Sequence, residues 1–95
     1  MGAATDAHRA TLEIRNRLGL HARAAALLVQ TASRFNAEVT VAKDGQVVNG
    51  RSIMCVMMLA AEQRSRIEVT TSGPEAAEAL AAIRALVDAR FQEPE

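Results

Sequence analysis

Residues 10–15 alternate, with Ala10, Leu12 and Ile14 on one face and Thr11, Glu13 and Arg15 on the other. That period of two predicts a strand with one wet face. Asn16-Arg17-Leu18-Gly19 interrupts it. Ala22 to Ser33 then runs without Gly or Pro and is rich in Ala and Leu, which favours a helix. Ala25, Leu28, Val29 and Ala32 supply its buried stripe at spacings of three and four. Ala37, Val39 and Val41 alternate again, Asp44-Gly45 is a strong hairpin signal, and Val47-Val48 returns as the partner strand before Asn49-Gly50 ends it. Ser52 is placed to cap a short helix from Ile53 to Leu59 or a little beyond. Ile67, Val69 and Thr71 alternate with Arg66, Glu68 and Thr70 as a fourth strand. Ser72-Gly73-Pro74-Glu75 has capping-box spacing and precedes a last helix to about Arg90, which buries Ala76, Leu80, Ile83 and Val87. The order βαββαβα, as four mostly antiparallel strands with the helices stacked on one face, satisfies every apolar stripe at once and defines an α+β fold.

Length and composition agree with one packed unit: 95 residues suffice for a single domain, and 49% of them are apolar. Phe35 and Phe91 are the only aromatic residues, so the core is built from Ala, Val, Leu, Ile and Met. A single cysteine, Cys55, excludes an internal disulfide and a cysteine metal cluster. The polar start of the chain does not read as a signal sequence, and no apolar run is long enough for a bilayer. The expectation is a soluble cytoplasmic protein without membrane insertion. The net charge of zero hides an asymmetry, because residues 1–66 hold nine of the 11 basic groups and five of the 11 acidic ones. Arg9, Arg15, Arg17, Arg23 and Arg34 form the early excess, which is either a solvated face or a means of steering anions. Nucleic acid is a poor partner for a chain with no global basic excess and neither Tyr nor Trp for stacking.

Most reactive constellations are missing. The sequence has no Gly-x-x-x-x-Gly-Lys and no Gly-x-Gly-x-x-Gly phosphate loop, and His8 and His21 are not spaced with a cysteine to hold a metal. Gly19-Leu20-His21-Ala22-Arg23 is different, because it sets His21 between a glycine-containing loop and the first turn of a helix. Free N–H groups and the macrodipole attract an anion there and disfavour imidazolium, so a neutral ring keeps a lone pair able to attack phosphorus. Arg23 can bring a charged fork to the resulting phosphoryl oxygens. On local physics alone, an ordinary cap or surface histidine is the better reading of His21. The second feature is Arg51-Ser52-Ile53-Met54-Cys55-Val56-Met57-Met58-Leu59. A helix this short cannot bury its whole circumference, so part of its Met-rich surface is expected to be exposed for docking. Ser52 is by default a cap, and a phosphate there would add charge beside that apolar surface.

These residues carry a family resemblance. Gly19-Leu20-His21-Ala22-Arg23 resembles the active-site segment of HPr, the histidine-containing phosphocarrier family of the bacterial phosphoenolpyruvate:sugar phosphotransferase system. Leu28-Val29-Gln30-Thr31-Ala32-Ser33, Val48-Asn49 and Arg51-Ser52-Ile53-Met54, continuing as Val56-Met57, are similar to the same family in register. The resemblance spans about residues 9–91, leaving 1–8 as a loose N-terminal tail and 92–95 as a C-terminal one. It implies the HPr-like open-faced β-sandwich, a four-stranded antiparallel sheet with three helices on one face. It implies that His21 accepts phosphate on Nδ1 from phosphorylated enzyme I and passes it to a histidine of an IIA protein, with Arg23 binding the phosphoryl group. Ser52 aligns with a serine that HPr kinase/phosphorylase modifies in many members, and Ile53, Met54 and Met57 align with exposed docking residues. A carrier that is not a stand-alone enzyme, needs no cofactor or metal and acts as a monomer is expected. Two departures stand out: the family's usual proline after the arginine is Ala24, and its common glycine in the second helix is Cys55.

A regulatory, nitrogen-type paralogue would keep His21 and Arg23 and look nearly identical, while Ser52 in its Arg-Ser-Ile-Met setting leans toward a carrier that a serine kinase can read. A pure protein-binding adaptor using the Met-rich helix is a reading from another class. A small hydrolase with His21 as general base ranks last, lacking a nucleophile and an orienting third group.

Overall fold

The computed structural model describes residues 7–93; residues 1–6 of the expected N-terminal tail and 94–95 of the C-terminal one lie outside the described residues. The elements are β1 (Ala7–Glu13), α1 (Ala22–Ser33), β2 (Glu38–Lys43), β3 (Gln46–Asn49), α2 (Ile53–Met58), β4 (Arg66–Ser72) and α3 (Ala76–Asp88), followed by a short turn at Arg90–Gln92. The strands form one antiparallel sheet in the order β1-β4-β2-β3. In the centre, Val69 of β4 is in register with Ala10 on one side and Val41 on the other. This is the expected four-stranded antiparallel sheet with three helices, in the expected order βαββαβα.

Alternation decides which face is covered. Ala10, Leu12, Val39, Val41, Ile67 and Val69 turn inward and are buried with Ala25, Leu28, Ala32, Leu80, Ile83 and Val87 of the helices. Arg9, Thr11 and Glu13 point to the other side and are exposed. Thr71 also points inward, and its hydroxyl donates to the Ala76 carbonyl at 2.7 Å, which satisfies its polar group and ties the end of β4 to the start of α3.

Three boundaries differ from the sequence pattern. β1 begins at Ala7, inside the stretch read as a tail, because Ala7, His8 and Arg9 pair with Ser72, Thr71 and Thr70 through the backbone while their side chains stay exposed. The Ser72-x-x-Glu75 capping box does not form. Ser72 is held in the sheet, and Glu75 is itself the residue before α3. Its carboxylate accepts from the Asn36 N–H at 2.6 Å and its own N–H donates to the Asn36 carbonyl at 3.1 Å, so it clamps the α1–β2 connection instead. Gly73, at φ +114°, allows the intervening turn, where a Cβ would press on the Asn36 carbonyl.

α3 ends at Asp88, short of Arg90. Arg90, Phe91 and Gln92 take left-handed φ values of 57°, 52° and 59°. Non-glycine residues accept that backbone only where their surroundings over-determine it. Here Phe91 is wholly buried in the core, and its anchoring swings Glu93, two residues on, back toward the start of α1. Phe91→Ala is expected to destabilise the fold by about 3–5 kcal/mol, as large-to-small core substitutions of phenylalanine do. Urea unfolding followed by circular dichroism measures it, and a loss under about 1 kcal/mol would contradict the anchoring role.

Candidate functional site

The site begins with the loop between β1 and α1. Asn16 is buried, and its Nδ2 donates to the Gly19 carbonyl at 2.7 Å while the Gly19 N–H returns to the Asn16 carbonyl at 3.2 Å. Gly19 takes φ +68°, and a Cβ there would collide with the Ala61 carbonyl oxygen. The loop therefore lies directly on the segment after α2, and the Leu20 N–H donates to Ala61 at 2.8 Å. Leu20 is buried, which turns the next residue, His21, to the mouth of an open groove of about 580 Å³ lined by Arg17, Leu18, Leu20, His21 and residues 60–63.

His21 is the N-cap residue of α1, with extended backbone at φ −73° and ψ −179°, and its carbonyl accepts the first helical bond from Ala25. Its ring makes no capping bond, and the first turn carries no acidic residue. The N–H groups at the helix start thus keep the anion-attracting arrangement that the sequence pointed to. Arg23 stands exposed on that turn and makes no ion pair among the described residues, so its guanidinium can swing to an incoming anion. Ala24, where the family has proline, is fully buried in an unbroken helix.

Sequence reasoning missed Glu93. Its carboxylate, 10% exposed, accepts from Asn16 Nδ2 at 3.2 Å and from the Leu18 N–H at 3.3 Å, and Oε2 lies 3.3 Å from His21 Nε2. The last contact is a close pairing whose N–H is too poorly aligned for a hydrogen bond. No local signal marks Glu93, because only the left-handed turn around Phe91 brings it here. Removal from solvent pushes its carboxyl up, but the Asn16 side chain, the backbone N–H groups of Leu18 and Arg17, and His21 outweigh that and hold it below the 4.5 of an ordinary glutamate.

Ser52 does cap α2: its Oγ accepts from the Cys55 N–H at 3.3 Å. Of the apolar positions on α2, Val56 alone is buried, while Ile53, Met54 and Met57 are exposed as expected and Met58 joins them. Met54 is the most open, at 73%. Leu18, in the His21 loop, is a further exposed apolar residue; it sits in a turn without periodicity, so no pattern singled it out. α2 leads through the buried Leu59 into residues 60–63, which line the His21 groove. Among the described residues, no group of three or more His, Cys, Asp or Glu is placed to hold a metal, and no helix is long and apolar enough to cross a membrane.

The family model for the PTS HPr component phosphorylation site matches residues 8–89. The chain belongs to the HPr family, the phosphocarriers of the phosphotransferase system. It is 49% identical over 85 residues to the phosphocarrier protein HPr of Neisseria meningitidis, covering 90% of this chain and 96% of that one. The crystal structure of HPr-C-His from Thermoanaerobacter tengcongensis superposes with a TM-score of 0.89 at 41% identity, covering 93% of this chain and 99% of that one. The catabolite-repression protein Crh of Bacillus subtilis, described as a domain-swapped intertwined dimer, is also similar, with a TM-score of 0.71 and 40% identity over 83% of this chain and 91% of that one. HPr membership thus accounts for the sheet, the three helices and the exposed histidine loop in one step.

The pairing of Glu93 has a pH signature. A carboxylate held below its ordinary value contributes stability above that value, and the contribution is lost as pH falls through the lowered one. The Leu18 amide resonance is therefore expected to move with a midpoint below pH 4.5 in the wild type and to lose that transition in Glu93→Gln. A Leu18 amide that titrates identically in both would show that the tether is absent in solution.

Proposed function

We propose that this chain carries a phosphoryl group on Nδ1 of His21, taking it from phosphorylated enzyme I and passing it to a histidine of an IIA protein. The observation that carries the reading is the uncapped start of α1, where Arg23, exposed and without an ion pair among the described residues, flanks a histidine at the anion-attracting end of a helix. The attacking nitrogen needs a lone pair, the product needs its new negative charge met by N–H groups and a guanidinium, and the open groove leaves room for a donor protein. Arg23 serves as the phosphoryl-binding residue. Ile53, Met54 and Met57 form the docking surface, with Met58 and Leu18 extending it. In this reading the carrier works as a monomer, in the cytoplasm where enzyme I works, and needs no cofactor.

Incubation with phosphoenolpyruvate and enzyme I is expected to place an acid-labile, base-stable phosphoryl group on the wild type and none on His21→Ala. Unchanged labelling of His21→Ala would overturn the assignment, and retained partner binding with no labelling of either protein would favour a protein-binding adaptor.

Ser52 supports a second, regulatory level. Its hydroxyl sits at the N-terminus of α2, where a phosphate is electrostatically accommodated, and directly beside Ile53 and Met54, where the same charge would oppose an apolar partner. The similarity to a catabolite-repression protein is consistent with such a role. ATP with HPr kinase/phosphorylase is expected to give an acid-stable label that disappears in Ser52→Ala; absence of any label would leave Ser52 as a cap alone.

A further inference from the structure

A neutral imidazole carries one proton, on either nitrogen, and the nitrogen without it offers the lone pair. His21 Nε2 is buried and 3.3 Å from an oxygen of Glu93, a carboxylate that is itself nine-tenths buried and held by Asn16 Nδ2 and the Leu18 N–H. A lone pair on Nε2 facing that oxygen is repulsive, whereas a proton there is attracted. A carboxylate on the far nitrogen is a general means of fixing an imidazole in one tautomer. We propose that Glu93 is a positioning residue for His21, whose carboxylate keeps the proton on Nε2 throughout the phosphoryl cycle and so makes Nδ1 first the nucleophile and then the leaving group. The inference rests on the reading of His21 as the phosphoryl acceptor.

The electrons balance without releasing a proton. The Nδ1 lone pair forms the bond to phosphorus while the bond from phosphorus to the donor breaks, its electrons leaving with the donor. The ring, now bonded at Nδ1 and protonated at Nε2, is cationic, and the adjacent Glu93 carboxylate stabilises that charge. When an acceptor attacks phosphorus, the N–P electrons return to Nδ1 and the ring is again neutral with its proton on Nε2. Without Glu93 the phosphorylated ring gives up its Nε2 proton at lower pH, and neutral phosphoimidazole parts from phosphorus more slowly.

The arrangement is built rather than incidental. Glu93 reaches His21 only because Arg90, Phe91 and Gln92 hold three successive left-handed conformations around the buried Phe91 ring. Asn16 uses a single nitrogen to bind both Gly19 of the histidine loop and Glu93, so loop and carboxylate move as one. Arg17 and Glu62 also line the groove and Arg23 lies on the adjoining turn; the arginines oppose a charge on the ring and Glu62 favours it. All three remain in variants of Glu93, so a difference between variants isolates the one carboxylate.

The test uses the full chain as wild type, Glu93→Gln and Glu93→Ala, with thermal midpoints recorded to show that each folds. Ring 15N shifts of the unphosphorylated proteins above the titration range are expected to show His21 protonated only on Nε2 in the wild type, with a measurable Nδ1–H fraction in Glu93→Ala. After phosphorylation with phosphoramidate, the hydrolysis of the phosphohistidine is followed against pH. Its alkaline fall-off is expected about one pH unit lower in Glu93→Gln, so hydrolysis is about threefold slower than in the wild type midway between the two midpoints and approaches about tenfold slower above the wild-type one. Superimposable hydrolysis profiles for folded Glu93→Gln and wild type, or a wild-type ring protonated on Nδ1, overturn the proposal. A wild type that takes no phosphate on His21 overturns the acceptor reading itself, and the ring tautomer then decides whether Glu93 positions the imidazole.

Discussion

The Leu20 N–H reaches the Ala61 carbonyl at 2.8 Å, and that close approach of two backbones is possible only because Gly19 has no Cβ to collide with the same oxygen. Much of the surface chemistry depends on this contact. It buries Leu20, which places the next residue, His21, at the surface as α1 begins. It also holds the segment after α2 against the histidine loop, where residues 60–63 line the groove beside His21 and the exposed methionines of α2 precede them in the chain. The proposed carrier role needs the reactive ring and the proposed docking residues in fixed relation. Here that relation is set by one amide and one glycine, with Asn16 bracing the loop from within.

The elements readable in the sequence were those whose side chains report their environment. α1 runs from Ala22 to Ser33 as its composition predicts, and the inward residues of β2 and β4 alternate as the pattern requires. Ser52 caps α2 because its hydroxyl lies three residues before an N–H that needs an acceptor. What escaped the sequence depends on the backbone or on distant partners. The first residues of β1 pair through main-chain groups and carry no apolar signal. Glu75 has the spacing of a capping box, yet β4 claims Ser72 and the α1–β2 connection claims the glutamate. Glu93 is the extreme case, since its place 77 residues from Asn16 follows from a left-handed turn that no local propensity favours.

Two electrostatic influences meet at His21 and do not cancel. The N-terminus of α1 favours negative charge near the ring. Glu93 does the reverse, but through one nitrogen only, because its oxygen faces Nε2. In the proposed resting carrier the helix N–H groups stand open to an anion while the carboxylate decides which nitrogen carries the proton. Once a phosphoryl group is bound, the helix N–H groups and Arg23 are placed to meet its oxygens while Glu93 meets the ring's positive charge. The dipole of the phosphorylated ring thus finds a complementary partner at each end, which holds the group without burying it.

The three helix N-termini of this fold are used in three ways, and the contrast bears on why His21 rather than another residue is the proposed acceptor. α2 is closed by the Ser52 hydroxyl, so its N-terminal field is already met by a protein oxygen unless Ser52 itself is modified. α3 carries Glu78 in its first turn and is preceded by Glu75, two carboxylates that compensate its positive end. α1 has neither a side-chain cap nor an acidic residue in its first turn. An uncompensated helix end costs stability unless something negative occupies it for part of the time. The chain keeps that cost only where a histidine stands at the cap position and, two residues on, an arginine without an ion pair among the described residues, which is the arrangement a transient phosphoryl group requires and a purely structural helix start does not.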